Sequence, residues 1–356
     1  MQYPLGQRLR ELPGPVMLTG HTGFKGTWMT FLLENLGVPV IGYSLPPDND
    51  SLFHRSNRTG TIPEVFADIR DYDYLENFID KHKPSTIVHM AAQPLVLKSY
   101  EMPRDTFEVN VMGTVSILDI AFKKDYVKGI IVVTTDKVYR NDETSRSFVE
   151  NDPLEGKDPY SASKVGTEAA VAAWQQIAKT SGGPSLISVR AGNVIGGGDF
   201  AENRIIPDII RGVMNGQSVE IRNPASTRPW QHVLDPLRGY LLALEKSLTD
   251  SDVLNLNFGP SQENYTVKEV ARVAKSFFPN LQIILNESNL IRNKESQTLS
   301  LDSKLSLEYL NWNPFIHQEE AINMTFKWWR DAIDKRSSIQ ELCAEETRNY
   351  LKIETV

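Results

Sequence analysis

The chain has 356 residues, of which 40% are hydrophobic, and its 38 basic and 45 acidic side chains give a net charge of −7. This composition suits a large globular core, and the absence of a basic block argues against nucleic-acid binding. The only cysteine, Cys343, excludes an internal disulfide, and no apolar run is long enough to span a membrane, so we expect a cytoplasmic protein.

Short apolar strands alternate with helical stretches through the first half of the chain. The strands are predicted at 16–19, 38–43, 86–89, 129–134 and 185–189, and the helices at 26–36, 72–81, 104–123 and 160–179. This alternation is typical of a parallel sheet that is covered by helices on both faces. We therefore predict an α/β protein with a Rossmann-type, doubly wound parallel sheet.

The regular alternation ends near residue 190, where glycine, proline and arginine become more frequent. Shorter helices and strands follow, which favours a smaller C-terminal α/β lobe that binds the substrate. The predicted division is a Rossmann domain at 14–190, a second lobe at 191–233 and 251–330, and a helical tail at 331–356. A helix at 234–250 is expected to pack back on the first domain.

A glycine-rich loop follows the first predicted strand and opens the first predicted helix. Its candidate cofactor-binding residues are Gly20, Thr22, Gly23, Phe24, Lys25 and Gly26. Such a loop makes a tight turn, lets the backbone approach a pyrophosphate, and directs helix N-terminal amides at the negative charge. The context predicts a dinucleotide cofactor, and we expect NAD.

The loops after the next strands are the candidate sites for the adenosine and ribose groups. The candidate residues there are Ser44, Asp68, Ile69, Ala91, Ala92 and Gln93. The second strand ends in Gly-Tyr-Ser, without the acidic residue that usually binds the ribose hydroxyls of NAD. NADP therefore stays open as an alternative.

Tyr160 and Lys164 are four residues apart on a predicted helix, so both side chains project from one face. An ammonium beside a phenol favours the phenolate, and we expect Lys164 to lower the pKa of Tyr160 towards neutrality. Thr135, directly after the strand predicted at 129–134, is placed to hydrogen-bond the same substrate hydroxyl. These three residues predict reversible hydride transfer, with Tyr160 as the base. Tyr160 and Lys164 are also candidate cofactor-binding residues.

These motifs resemble the extended short-chain dehydrogenase/reductase family, in its nucleotide-sugar branch, over nearly the whole chain. Within that branch the chain is similar to the CDP-glucose 4,6-dehydratases. The matching stretches are 19–26, 89–96, 110–114, 190–199, 222–224 and 228–234. The resemblance implies a Rossmann domain that binds NAD and a second lobe that binds a nucleotide sugar.

The resemblance also implies a role for the two residues after Thr135. In the resembling dehydratases an acid at this position protonates the departing C6 hydroxyl, and in the CDP-glucose enzymes the next residue is Lys. Asp136 and Lys137 match this pattern. Oxidation of C4 acidifies the C5 proton, so elimination needs one group that removes this proton and another that protonates the leaving hydroxyl. Which of Asp136 and Lys137 acts as acid and which as base stays open.

An acidic protein must neutralise a nucleoside diphosphate locally. The candidate substrate-binding residues are Asn193, Arg204, Arg222 and Arg228, since guanidinium suits phosphate and the asparagine lies in a glycine-flanked loop. The six histidines show no metal-binding spacing, so no metal is expected. Two stretches depart from the resembling enzymes, at 97–98 and 138–146, so the base or the sugar can differ from CDP-glucose.

The sequence predicts an NAD-dependent lyase that converts a nucleotide-activated hexose, with CDP-D-glucose favoured, into its 4-dehydro-6-deoxy form. The alternatives are a nucleotide-sugar 4-epimerase, a 4,6-dehydratase of another nucleotide sugar, and a non-catalytic NAD-binding regulator. The first alternative needs Tyr160 and Lys164 but no acid at Asp136. From the resemblance we also expect a homodimer through a four-helix bundle of 104–123 and 160–179, with a larger homo-oligomer left open.

Overall fold

The central feature of the computed structural model is a seven-stranded parallel sheet. The structure describes residues 4–141, 146–221, 223–250, 255–260, 265–285 and 299–353. The strands of the sheet are β1 Val16–Thr19, β2 Val40–Ser44, β3 Glu64–Phe66, β4 Thr86–His89, β5 Gly129–Val133, β6 Ser185–Ala191 and, later in the chain, β11 Leu256–Phe258. Strands β1, β2, β4 and β5 are buried along their whole length, which explains their continuous apolar sequence.

The strand order is β11-β6-β5-β4-β1-β2-β3, and every neighbouring pair is parallel. The order β3-β2-β1-β4-β5-β6 is that of the doubly wound dinucleotide-binding fold, so the predicted fold class is confirmed. The chain reverses direction across the sheet between β1 and β4, and ligands of such sheets bind beyond the carboxyl ends of the strands at this point.

Helices flank the sheet and form much of the rest of the protein. They are α1 Gln7–Arg10, α2 Phe24–Asn35, α3 Leu52–Arg55, α4 Tyr72–His82, α5 Val96–Glu101, α6 Pro103–Phe107, α7 Gly113–Phe122, α8 Pro159–Ser181, α9 Ile205–Asn215, α10 Leu234–Ser247, α11 Val267–Phe277, α12 Lys304–Leu310, α13 Gln318–Ile333 and α14 Ile339–Ile353. In the described part of the chain no helix is long and apolar enough to cross a membrane.

The helix predicted at 104–123 is interrupted. The chain runs from α6 through one π-helical turn, Glu108–Met112, into α7. Within that turn the carbonyl of Asn110 accepts hydrogen bonds from the hydroxyls of Thr114, at 2.7 Å, and of Thr167 on α8, at 2.9 Å. Such π turns are rare in proteins, and those that occur lie frequently at functional sites. Here the turn fixes Asn110 between α7 and α8.

The remaining strands form three small two-stranded sheets outside the central one. They pair β7 Val194–Ile195 with β10 Gln231–His232, β9 Thr227–Arg228 with β12 Tyr265–Thr266, and β8 Val219–Ile221 with β13 Ile283–Leu285. Helix α10 lies against β5 and β6, and β11 pairs with β6, although β11 belongs to the range assigned to the second lobe. The division into domains stays a prediction.

Candidate active site

The glycine loop connects β1 to α2 at the reversal point of the sheet. Gly20 has a φ of +74°, which an L side chain rarely adopts, and a Cβ there would lie 2.8 Å from the amide nitrogen of Ala91. A Cβ on Gly26 would lie 2.1 Å from the carbonyl oxygen of Gly20, so the first turn of α2 packs directly on the loop. Both positions require glycine for close packing.

The N-terminus of α2 suits a pyrophosphate. Gly23 is its N-cap, and no side chain among the described residues caps it. The first amides of a helix lack internal partners and carry the positive end of the helix dipole. The amides of Phe24 and Lys25 therefore fit the diphosphate of a dinucleotide, whereas the amide of Gly23 already donates to the carbonyl of Gly20 at 3.1 Å. The side chain of Phe24 points elsewhere, with its Cζ 3.3 Å from the position of a Cβ on Gly196.

The carboxyl end of β2 offers hydroxyl groups in place of an acid. Thr22 donates a hydrogen bond to the carbonyl of Leu45 at 3.0 Å, so in its 2.7 Å contact with Ser44 the serine hydroxyl is the donor. The oxygen of Ser44 is then an acceptor for a ribose hydroxyl. Sequence reasoning missed that an acid does approach this end, since Glu64 on β3 contacts Nε2 of the buried His21 at 2.8 Å.

The predicted adenine-binding residues lie at the ends of β3 and β4. The carboxylate of Asp68 pairs with Arg70, with one contact of 2.6 Å, and Ile69 is buried. Ala91 and Ala92 are half-buried beside the glycine loop. The amide of Gln93 donates to Oδ1 of Asn110 at 2.8 Å, so the π turn fixes the path of this loop.

Tyr160 and Thr135 meet at the carboxyl end of β5. Helix α8 begins at Pro159, and its N-cap Asp158 accepts a hydrogen bond from the amide of Ser161. Tyr160 is 8% exposed, and burial raises its pKa to about 12, while the Thr135 hydroxyl opposes that shift. The expected lowering of the pKa of Tyr160 is therefore wrong for the protein alone, because desolvation of the phenolate outweighs the Thr135 hydrogen bond and the positive charge of Arg204.

Lys164 is also buried, and its ammonium donates to the carbonyl of Val133 at 3.1 Å. Burial lowers the pKa of Lys164 to about 8, and the carboxylate of Glu168 opposes this shift. A second lysine, Lys25, donates to the hydroxyl of the buried Tyr240 at 3.4 Å, and burial lowers its pKa to about 8 as well. The contribution of Tyr240, from the distant helix α10, could not be read from the sequence.

Asp136 begins a short 3₁₀ turn, Asp136–Val138, that Thr135 caps. Thr135 donates its hydroxyl proton to Oδ1 of Asp136 at 3.0 Å, and Nζ of Lys137 lies 4.0 Å from the same oxygen. Asp136 is 3% exposed, while the side chain of Lys137 is 22% exposed. A Cβ on Gly192 would lie 3.0 Å from Oδ2 of Asp136, so the loop after β6 covers the carboxylate.

One cavity brings the elimination pair together with two predicted substrate residues. Asp136, Lys137, Asn193 and Arg228 line it. Arg204 contacts the buried Asp199 at 3.0 Å, and its charge acts to lower the pKa of Tyr160, which places it within electrostatic reach of the catalytic end.

Some predicted features of this region are not described. Arg222 and residues 142–145 of the departing stretch lie outside the described residues. Within the described ranges, no three His, Cys, Asp or Glu side chains lie close enough to hold a metal ion.

Comparisons with known proteins show the family of this chain. The pattern of the NAD dependent epimerase/dehydratase family matches residues 16–256. A CDP-glucose 4,6-dehydratase of Salmonella typhimurium is 38% identical over 351 residues, which cover 96% of this chain and 97% of the relative.

Two solved structures share the fold. The dTDP-glucose 4,6-dehydratase of Bacillus anthracis, in complex with NAD, has a TM-score of 0.73 at 20% identity and covers 93% of this chain and 99% of its own. The UDP-glucose 4-epimerase of Thermotoga maritima, with UDP-glucose, has a TM-score of 0.75 at 23% identity and covers 90% of this chain and 99% of its own.

Proposed function

Because the chain belongs to the NAD-dependent epimerase/dehydratase family, we propose that it is a lyase that removes water from CDP-D-glucose. The product is CDP-4-dehydro-6-deoxy-D-glucose. The observation that carries this proposal is the buried Asp136 beside Lys137, directly after Thr135 and in the cavity next to Tyr160. The 38% identical relative carries the name of this activity.

The first step is oxidation at C4 of the hexose. Tyr160 accepts the proton of the C4 hydroxyl, and Thr135 hydrogen-bonds the same oxygen. The guanidinium of Arg204 provides positive charge that favours the phenolate, against the burial that opposes it. We expect the ammonium of Lys164, one helical turn after Tyr160, to act in the same direction. NAD, when bound, supplies the acceptor of the C4 hydride and later returns that hydride to C6.

The second step is loss of water across C5 and C6. The C4 ketone makes the C5 proton acidic, and one group of the elimination pair removes this proton while the other protonates the departing C6 hydroxyl. We assign the acid role to Asp136, since its carboxyl lies in the cavity and is held by Thr135. Lys137 then removes the C5 proton or stabilises the enolate by its charge.

The substrate is held through its diphosphate and sugar. Arg228 and Asn193 line the cavity, and Arg204 stands near Tyr160, so we propose that they bind the nucleotide sugar. Arg222 remains a predicted ligand outside the described residues. The cytoplasmic location that the composition favours stays a prediction.

We further propose a homodimer, formed through a four-helix bundle in which the α6–α7 region and α8 face their copies. One stretch of α5, α6 and the π turn exposes large apolar side chains, namely Leu97, Tyr100, Met102, Phe107 and Met112. Contiguous exposed apolar surface is typical of protein interfaces. Light scattering coupled to size-exclusion chromatography tests the assembly.

Mass spectrometry of products tests the function. Purified protein with NAD is incubated separately with CDP-, dTDP-, GDP- and UDP-glucose. A product lighter by one water from CDP-glucose alone supports the proposal, and the same loss from another nucleotide keeps the chemistry but moves the substrate. An unchanged mass with altered stereochemistry at C4 would instead identify a 4-epimerase, which has no use for an acid at Asp136.

A further inference from the structure

Behind the catalytic helix lies a buried ion pair between Glu168 of α8 and Arg190 of β6. Nε and Nη2 of Arg190 donate to the two carboxylate oxygens of Glu168, each at 2.8 Å. Both side chains are 2% exposed. Taking two charges out of water is costly, and the bidentate geometry offsets that cost only when the remaining polar atoms are also bonded.

The remaining atoms of the pair bond to the edges of the active site. Thr134, which precedes Thr135, donates to the carboxylate of Glu168 at 2.5 Å. On the other side, Nη1 of Arg190 donates to the hydroxyl of Tyr139 at 2.8 Å, and Tyr139 lines the cavity of Asp136. The pair thus joins α8, the end of β5 and the cavity wall in one network.

Glu168 also stands one helical turn after Lys164, and its carboxylate stabilises the Lys164 ammonium. Other charged or titratable groups surround Lys164 on the packed elements. They are Tyr160 on the same helix, His89 at the end of β4 and Lys25 in the first turn of α2. Asp136 acts on Tyr160 and Lys25, and Arg190 pairs with Glu168. The carboxylate that acts directly on the Lys164 ammonium is that of Glu168.

We propose that Glu168 and Arg190 are positioning residues of the active site. Glu168 stabilises the ammonium of Lys164, and Arg190, bonded to both carboxylate oxygens, offsets part of that attraction. Through Thr134 and Tyr139 the same pair sets the catalytic threonine against the cavity wall. The effect of this ion pair on turnover rests on the dehydration proposed above, whereas its effect on the protonation of Lys164 does not.

Two neutral variants shift the protonation of Lys164 in opposite directions. Glu168→Gln removes the attractive charge and leaves the Arg190 cation unpaired, so the apparent pKa of Lys164 falls by about one unit. Arg190→Gln removes a repulsive charge and leaves the carboxylate, so that pKa rises. If the pair were purely structural, both variants would be destabilised, and the pKa of Lys164 would not shift in opposite directions.

The readout is the pH titration of the Lys164 side-chain amine by NMR spectroscopy of the folded protein with NAD, with Lys164→Met to assign the signal. This readout needs no turnover, so it stands even when no nucleotide sugar is dehydrated. In the active enzyme, the alkaline limb of kcat moves to lower pH in Glu168→Gln and to higher pH in Arg190→Gln. Asp235→Asn is the control, because Asp235 is a buried carboxylate hydrogen-bonded by Tyr350 at 2.8 Å, away from α8.

The control is expected to lower Tm and leave the titration midpoint of Lys164 unchanged. Shifts of the same sign in both variants, or no shift in either, would overturn the proposed role. Where a single variant does not fold, the double variant Glu168→Gln with Arg190→Gln leaves no unpaired charge. It is expected to lower the midpoint below the wild-type value, because the carboxylate of Glu168 acts directly on the ammonium. A midpoint at or above the wild-type value contradicts the role.

Discussion

Replacement of Asp136 by Asn separates oxidation from elimination. The amide cannot act as an acid towards the C6 hydroxyl, while Tyr160 and Lys164 are untouched. A positioned general acid typically contributes ~10²–10⁴-fold, which is about 3–5 kcal/mol of activation free energy. We expect Asp136→Asn to lose product formation by this factor and still to reduce NAD in the presence of the substrate.

The structural cost of the substitution is smaller than the kinetic one. Asp136 is 3% exposed, with the ammonium of Lys137 at 4.0 Å and the hydroxyl of Thr135 at 3.0 Å. The Lys137 side chain is 22% exposed, so water replaces much of the lost attraction. We expect a loss of about 1–2 kcal/mol in unfolding free energy, since the amide still accepts from Thr135.

The assay combines stopped-flow absorbance of the reduced cofactor with mass spectrometry of the product. Asp158→Asn is a matched control, because Asp158 lines the same cavity and caps α8, a role that Asn fills equally well. It is expected to keep wild-type turnover within a few-fold. A loss of less than about tenfold in Asp136→Asn, or an equal loss in both variants, refutes the acid role of Asp136.

Three further outcomes follow from the geometry. Gly26→Ala should lower both Tm and NAD affinity, since its Cβ would lie 2.1 Å from a backbone carbonyl oxygen. Gly23→Ala should weaken NAD binding without a loss in Tm, since the nearest atom to its Cβ is 3.4 Å away. Calorimetry checks both variants. Burial lowers the pKa of Lys164 to about 8, so the ammonium destabilises the fold below that pH. Lys164→Met should therefore stabilise the apoprotein at neutral pH by up to about 3 kcal/mol, although turnover is lost. Chemical denaturation should show this gain vanishing as pH rises from about 8 to about 10.5. Phe107→Asp should give monomers in light scattering, whereas Leu307→Asp, equally exposed but on α12, should not.

Much of the fold was predictable because its signals are local. The strand β4, Thr86–His89, has the predicted bounds, since a buried parallel strand is a short continuous apolar run. The glycine loop was found because Gly20 and Gly26 meet a steric need that a few neighbouring residues define. The adjacency of Asp136 and Lys137 to Thr135 is likewise a local feature of the sequence.

The rest depends on contacts between distant segments. Strand β11, Leu256–Phe258, has only three residues, too few for a periodic pattern, and it joins the sheet by pairing with β6. The pairs of His21 with Glu64 and of Lys25 with Tyr240 bridge elements far apart in sequence. No spacing rule connects such positions.

The pKa of Tyr160 shows a different kind of limit. The spacing of Tyr160 and Lys164 predicts that the ammonium lowers it, and the buried surroundings raise it to about 12 instead. The sequence shows which charges are neighbours, whereas the balance between charge and desolvation needs the packing of all surrounding elements. Glu168 and Arg190 escaped notice for the same reason, since their bidentate pair exists only when α8 lies on β6.

The fate of the C4 hydrogen tests the central claim most directly. The enzyme with NAD is given CDP-glucose that carries deuterium at C4, and the product is examined by NMR spectroscopy. Oxidation, elimination and hydride return predict a 4-dehydro-6-deoxy sugar with the deuterium on C6. Deuterium found again on C4, in a product that has lost no water, contradicts the dehydratase and identifies an epimerase.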